Sequence, residues 1–196
     1  MLVFLDFEAS SLARHSYPIE VAWVFEDGAS EAHLIRPAPG WDDWDTAAEA
    51  IHHIPRATLL AEGVAHDVVA RRMVEQLAGH DLTASAPSWD GKWLSTLLRA
   101  AGLPRHNLRL RDSDAAQREA ARATLRDIVP ADRLDATVES IFIHAIAARA
   151  GLVTAHRALA DAQQERERWR GVQAAAAQFR DAQSPHSTIF VTPPDD

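Results

Sequence analysis

Two carboxylates, Asp6 and Glu8, interrupt an otherwise apolar run, FLDFEASSL, at residues 4–12. On a strand, residues i and i+2 project to the same side, so these two acids converge. Like charges that close raise each other's pKa unless a cation lies between them. Burying them unpaired would cost on the order of several kcal/mol. A divalent cation removes the conflict, and an all-oxygen donor set suits Mg²⁺ or Mn²⁺. Taken alone, the D-x-E spacing is common, and one acid exposed at a strand end explains it as well.

Two later segments add chemistry-bearing residues. SWDGKWLSTLL, at 88–98, puts Asp90 in the first turn of a helix that follows a strand. By itself Asp90 reads as a charge favoured at a helix N-terminus, worth roughly 0.3–1 kcal/mol. HRALADA, at 156–162, supplies His156 and Asp161. Five helical positions span about 500°, so the pair converges only if His156 lies at or before the helix start. Gly151 and Thr154 just upstream fit a loop there. By itself His156 reads as a surface or capping histidine.

The elements that must position these residues follow from the hydrophobic pattern. Residues 2–8 alternate, with Leu2, Phe4, Asp6 and Glu8 on one face and Val3, Leu5 and Phe7 on the other. Both faces are largely apolar, which predicts a central strand. PIEVAWVFE, at 18–26, predicts a second strand with Ile19, Val21, Trp23 and Phe25 on one face. Asp27-Gly28 signals a hairpin into EAHLIRP, at 31–37. Residues 38–62 read as loop, one short helix and a turn at Pro55. Asp67 is placed to cap a helix carrying Val69, Met73 and Leu77, and Ser88 to cap one carrying Trp93, Leu94, Leu97 and Leu98. Short strands are expected in DLTASAP, at 81–87, and HNLRLRD, at 106–112. Helices are expected over 114–128, over 136–149 with Asp135 as cap and Gly151 as stop, and over about 157–180. The order is an α/β domain with a mixed sheet, antiparallel at its start. Residues 1–180 read as this domain and 181–196 as a C-terminal tail.

Bulk properties bound the rest. With 196 residues, 47% hydrophobic and 24% charged, the chain is globular and able to bury a core. No cysteine is present, which excludes disulfides and thiolate metal sites and fits a reducing, cytoplasmic setting. No targeting segment and no apolar run long enough to span a bilayer is apparent, so no membrane partner is expected. A net charge of −8 argues against non-specific coating of duplex DNA. Lys92 is the sole lysine, and arginines cluster at 105–111 and 166–170. Such clusters are ordinary solvated charge or flank a phosphate path.

Taken together, D-x-E on the first strand, Asp90 at a middle strand–helix junction and H-x-x-x-x-D opening a late helix resemble the DEDDh (DnaQ-like) family of 3′–5′ exonucleases. The match runs in order over residues 2–170, and HRALADA is its most specific piece. YPIEVAWVFEDG, at 17–28, is similar to that family's second strand and hairpin. The sister group with tyrosine in place of His156 is excluded, because the only tyrosine is Tyr17. Ala9 stands where the family often has Thr, and SAPSWD, at 85–90, departs from its usual third motif.

The resemblance implies a ribonuclease H-like mixed β-sheet flanked by helices. It implies hydrolysis of phosphodiesters at nucleic-acid 3′ ends to nucleoside 5′-monophosphates, with two Mg²⁺ or Mn²⁺ ions per site. Asp6 would bridge both ions, Glu8 and Asp161 would hold one and Asp90 the other through water. His156 would be the general base, for which an ordinary histidine pKa near 6.5 is suited. Ala9, Ser10 and Leu12 match positions that touch the terminal nucleotide, although core packing explains Leu12 nearly as well. Trp93 is expected in the core, and Trp89 is free to stack on a base. Single-stranded or short DNA or RNA ends are the expected partners, and a homodimer is left open. The roles of Glu20, His52 and His53 are open as well. An endonuclease, and a binding or scaffold domain that kept the fold without turnover, are the alternatives.

Overall fold

The computed structural model describes residues 1–148 and 156–183. Six strands form one mixed sheet in the order β4-β3-β2-β1-β5-β6. They are β1 (Leu2–Ala9), β2 (Pro18–Phe25), β3 (Ser30–Arg36), β4 (Val64–Ala65), β5 (Asp81–Ala84) and β6 (Leu110–Asp112). β1–β2 and β2–β3 pair antiparallel, whereas β1–β5, β5–β6 and β3–β4 pair parallel. The expected mixed sheet, antiparallel at its start, is therefore present. Asp27-Gly28 makes the hairpin, with Gly28 at a φ of 101° that side chains disfavour.

Seven helices lie among the described residues: α1 (Thr46–His52), α2 (Arg56–Glu62), α3 (His66–Leu77), α4 (Pro87–Ala100), α5 (Ser113–Leu125), α6 (Ala131–Ala147) and α7 (Ala158–Gln183). The chain divides into two compact units. One holds residues 1–116 and 156–167, and therefore the sheet; the other holds residues 117–148 and 168–183.

In the first unit the alternation of β1 decides what is buried where. Val3, Leu5, Phe7 and Ala9 enter one core with Val21 and Trp23 of β2, Met73 and Leu77 of α3, and Trp93, Leu94, Leu97 and Leu98 of α4. The opposite face carries Phe4, Asp6 and Glu8, whose register partners on β2 are Val24, Ala22 and Glu20. In the second unit Ala121 and Leu125 of α5, Val138, Ile141 and Phe142 of α6, and Val172 and Ala176 of α7 form a separate core. Arg118 pairs with Glu139 there and lies 3.6 Å from the Phe142 ring centroid.

Several local expectations are corrected. Residues 46–62 form two helices, because Pro55 occupies the cap of α2 and separates it from α1. Asp67 and Ser88 are not caps: α3 begins at His66 after Ala65, and α4 begins at Pro87 after Ala86. Proline has no N–H to leave unsatisfied at the first helical position, so α4 starts there without a side-chain cap. Asp67 instead pairs with Arg71 one turn along. Asp135 is likewise inside α6, which starts at Ala131 after Pro130, and it pairs with Arg122. The two-residue β4 was not expected, and β6 is shorter than its motif. The expected stop at Gly151, the loop residue Thr154 and the tail from residue 184 lie outside the described residues.

Leu97 is fully buried beneath β1. Leu97→Ala is expected to lower unfolding free energy by about 2–5 kcal/mol in urea titrations, the usual cost of a deleted core leucine.

Candidate active site

β1 pairs parallel with β5 and runs on to Ala9 after β5 has ended at Ala84, and the C-terminal ends of such strands are where α/β sheets open a crevice. β1 brings Asp6 and Glu8 there, on the face away from the α3–α4 core. Ala22, opposite Asp6, has no side chain beyond Cβ and leaves the carboxylate room. β5 leads into α4, whose first turn carries Asp90, only 3% exposed. α7 starts at Ala158, so His156 lies two residues before the helix and Asp161 one turn inside it. This is the arrangement that lets the two converge. His156 has a φ of 50°, a left-handed conformation that costs a non-glycine residue about 1–3 kcal/mol and persists only where its surroundings impose it.

Ligand atoms of Glu8, His156 and Asp161 all lie within 4.8 Å of one another. Asp6 and Asp90 lie outside that triad but are coupled to it by charge. Burial pushes the Asp6 carboxyl up to about 9, and Asp90, Glu8, Asp161 and Glu165 add repulsion. Glu8 is likewise pushed up to about 7, by burial first and then by Asp161 and Glu20, with Arg157 opposing them. Burial raises Asp90 to about 7, against backbone hydrogen bonds at Ala86 and Phe7 that favour its ionised form. All five residues singled out from the sequence are thus in the first unit, and none is remote from the others electrically.

The donor set fits a divalent cation. Asp6 and Glu8 have their ionisation opposed by burial and by the charges of nearby carboxylates, Asp90 and Asp161 among them, and a cation reverses that balance. Oxygen donors suit Mg²⁺ or Mn²⁺, and the imidazole of the triad also suits Mn²⁺ or Zn²⁺. Glu8, Asp161 and His156 are close enough to ligate one ion together.

Glu20, whose role the sequence left open, is 4% exposed and faces Glu8 across the β1–β2 ladder. Arg157 donates to it from Nη2 at 2.7 Å and from Nε at 3.1 Å. The Ala158 N–H donates to it at 3.0 Å, so Glu20 caps α7 from another element. This clamp fixes the two residues that follow His156. Glu165, one turn beyond Asp161, is 8% exposed and accepts a hydrogen bond from Ser113 at 2.8 Å. Its signal was the four-residue helical spacing from Asp161, which places both on one face.

The residues after β1 are set differently. Ala9 is 7% exposed, and a register shift between Glu8 and Ala9 ends the ladder. Ser10 is fully buried, with its hydroxyl accepting from the Tyr17 N–H at 3.1 Å and donating to Asp43 at 3.3 Å. Leu12 is 68% exposed, so core packing does not account for it. Lys92 anchors this loop through the Ala13 carbonyl and the Ser16 hydroxyl, at 2.7 and 2.8 Å. Trp93 is buried as expected, and its indole N–H donates to Ser16 at 3.0 Å. Trp89 is 38% exposed, stacked on Trp93 with centroids 5.7 Å apart. His52 is buried, its Nδ1 accepting from the Ile54 N–H, while His53 is exposed at a positive φ.

No protein-family model matches the chain, and no curated protein matches it by sequence. Solved structures do match its fold. E. coli Exonuclease I in complex with a dA16 oligonucleotide aligns with a TM-score of 0.63 at 17% identity, over 92% of this chain and 42% of that one. A moderately thermophilic Exonuclease I from Methylocaldum szegediense aligns at 0.60 and 19%, over 92% and 42%. The zinc-ion-bound form of the E. coli ExoI–ssDNA complex aligns at 0.57 and 18%, over 93% and 40%. The chain spans less than half the length of these proteins. The six-stranded mixed sheet flanked by helices is the ribonuclease H-like exonuclease fold.

Two measurements test this reading of the site. Carboxylates of an unfolded chain titrate near 4, below the folded values of Asp6, Glu8 and Asp90. The folded state therefore holds more protons between about pH 4 and pH 9, and stability falls as pH rises through that window. In EDTA, Tm is expected to drop across it, and Mg²⁺ or Mn²⁺ is expected to remove most of the drop. A flat profile in EDTA would count against the cluster. Second, Glu20→Ala is expected to cost about 1.5–3 kcal/mol by chemical unfolding, the range for a charged hydrogen-bond acceptor. Arg157→Ala is expected to cost less, because that side chain is half exposed.

Proposed function

We propose that the chain is a metal-dependent 3′–5′ exonuclease that hydrolyses the terminal phosphodiester of single-stranded or short nucleic acids to nucleoside 5′-monophosphates. The observation that carries this reading is the convergence of Glu8, His156 and Asp161 within 4.8 Å, with the part-buried Asp6 and the buried Asp90 coupled to them by charge. The exonuclease fold and the ordered DEDDh-like motifs support it.

In this reading Asp6, Glu8, Asp90 and Asp161 hold two divalent ions. When bound, such ions neutralise phosphate charge, activate the attacking water and stabilise the leaving oxygen. His156, exposed at the mouth of the cluster, accepts the proton that the attacking water loses as its oxygen bonds to phosphorus. The P–O3′ bond breaks, and the departing 3′-oxygen takes a proton from solvent. The left-handed backbone at His156 turns its ring toward Glu8, and the Glu20–Arg157 clamp holds that turn. Leu12 and Trp89, large apolar side chains left in solvent on segments tied together by Lys92, are placed to contact bases of the terminal nucleotides. Ala9 and Ser10 would contribute backbone groups. The −8 charge of the chain favours a short single strand over a long duplex.

Release of 5′-mononucleotides from 3′-labelled single-stranded DNA and RNA is the direct test. Release is expected with Mg²⁺ or Mn²⁺, abolished by EDTA and by Asp6→Ala. His156→Ala is expected to lower kcat about 10²–10⁴-fold, the usual contribution of a general base. Internal cleavage products would indicate an endonuclease, and binding without turnover would move the binding-domain alternative to the front.

A further inference from the structure

A second concave site lies along α4, starting at the residue after Asp90, and takes no part in the chemistry above. It has a volume of ≈ 410 Å³ and is bounded by Gly91 and Ser95 on one face of α4 and by Arg105, His106 and Arg109 on the segment entering β6. Leu94 and Leu108, 3% and 4% exposed, make an apolar floor. Among the described residues, no carboxylate lines it.

The cationic rim is unusual for this chain. With 28 acidic against 20 basic residues, most described arginines are spent on carboxylates, among them Arg56, Arg71, Arg72, Arg111, Arg118, Arg122 and Arg157. Arg105 and Arg109 are exposed, and among the described residues neither has an ion pair or a hydrogen bond. Two free guanidinium groups and an imidazole on one rim concentrate positive potential that an anion relieves. Guanidinium binds phosphate oxygens in a bidentate fork. The leucine floor adds a place for an apolar body attached to that anion. A nucleotide unit combines both, as a charged phosphate on a largely apolar base. Gly91 directly follows Asp90, so the same turn of α4 serves both sites.

We propose that this cavity binds a nucleotide unit of the substrate strand upstream of the scissile bond, with Arg105 and Arg109 on its phosphates and the base against Leu94 and Leu108. The proposal rests on the nuclease reading of the carboxylates that include Asp90, the neighbour of Gly91. It assigns length dependence to the enzyme: strands long enough to reach the cavity bind more tightly than dinucleotides.

Binding, not turnover, tests it. The full chain carrying Asp6→Ala is titrated with a fluorescent oligothymidylate and oligouridylate at several salt concentrations. Adding Arg105→Gln and Arg109→Gln is expected to weaken binding roughly tenfold. It is also expected to lower the salt slope by about 1.4, at about 0.7 per single-strand phosphate. Arg71→Gln with Arg180→Gln changes net charge equally at two exposed, paired arginines and is expected to leave affinity and slope unchanged. Unchanged binding in the Arg105/Arg109 pair, or an equal loss in the control pair, overturns the proposal. Displacement of the oligonucleotide by polyglutamate at equal charge would assign the cavity to an acidic polypeptide and overturn it too. Because the readout needs no hydrolysis, a chain that binds through this rim yet cleaves nothing would refute the exonuclease reading alone.

Discussion

The crowding of part-buried carboxylates, opposed first by desolvation and then by like charge, is the constraint on which the rest of this structure depends. Asp6, Glu8, Asp90 and Asp161 occupy one region of the first unit, where burial and the neighbouring acids disfavour ionisation of Asp6 and Glu8. Left to themselves such groups would move apart into water. They stay because each is mounted on an element held by something else. β1 is held by the apolar half of its own alternation, through Val3, Leu5 and Phe7 packed on α3 and α4. The same α4 core, through Trp93, Leu94 and Leu97, keeps Asp90 at its station. Hydrophobic burial on one face of the sheet thus supplies the free energy that holds charge together on the other.

α7 needs a different device, since its entry passes through a left-handed histidine. Glu20 supplies it. One buried carboxylate satisfies the first N–H of the helix and the guanidinium of Arg157, and so determines where His156 and Asp161 stand. Arg157 also offsets repulsion at Glu8, which makes it the cation that the cluster keeps when no metal is bound. A comparable economy is seen after β1. The sole lysine and the Trp93 indole both tie the loop of residues 10–17 to α4, and Leu12 is held in solvent at its tip. Rigid anchoring of a loop that exposes an apolar side chain suits a surface meant to meet a ligand.

Much of this was legible in the residues themselves. The period-two alternation of residues 2–8 placed Asp6 and Glu8 on one face, and the Asp27-Gly28 turn placed β3 beside β2. Helical spacing from Leu97 placed Trp93 in the core, where it lies. Helix starts were read less well, because Asp67, Ser88 and Asp135 look like caps while Pro87 and Pro130 begin or precede the helices without one. A first-turn acid and a capping acid favour the same dipole and differ only in backbone geometry.

What the sequence by itself determined was local: which side chains share a face, where the chain turns, and which residue types could bind a metal or move a proton. Those follow from repeat geometry and side-chain chemistry, which neighbours in the chain already specify. Tertiary structure alone decided that Glu20 meets Arg157 across 137 positions, that Ala22 leaves space opposite Asp6, and that Arg105 and Arg109 pair with no acid among the described residues. Pairing between distant charges depends on strand register and helix placement, and these are set by the packing of the whole core rather than by any single segment.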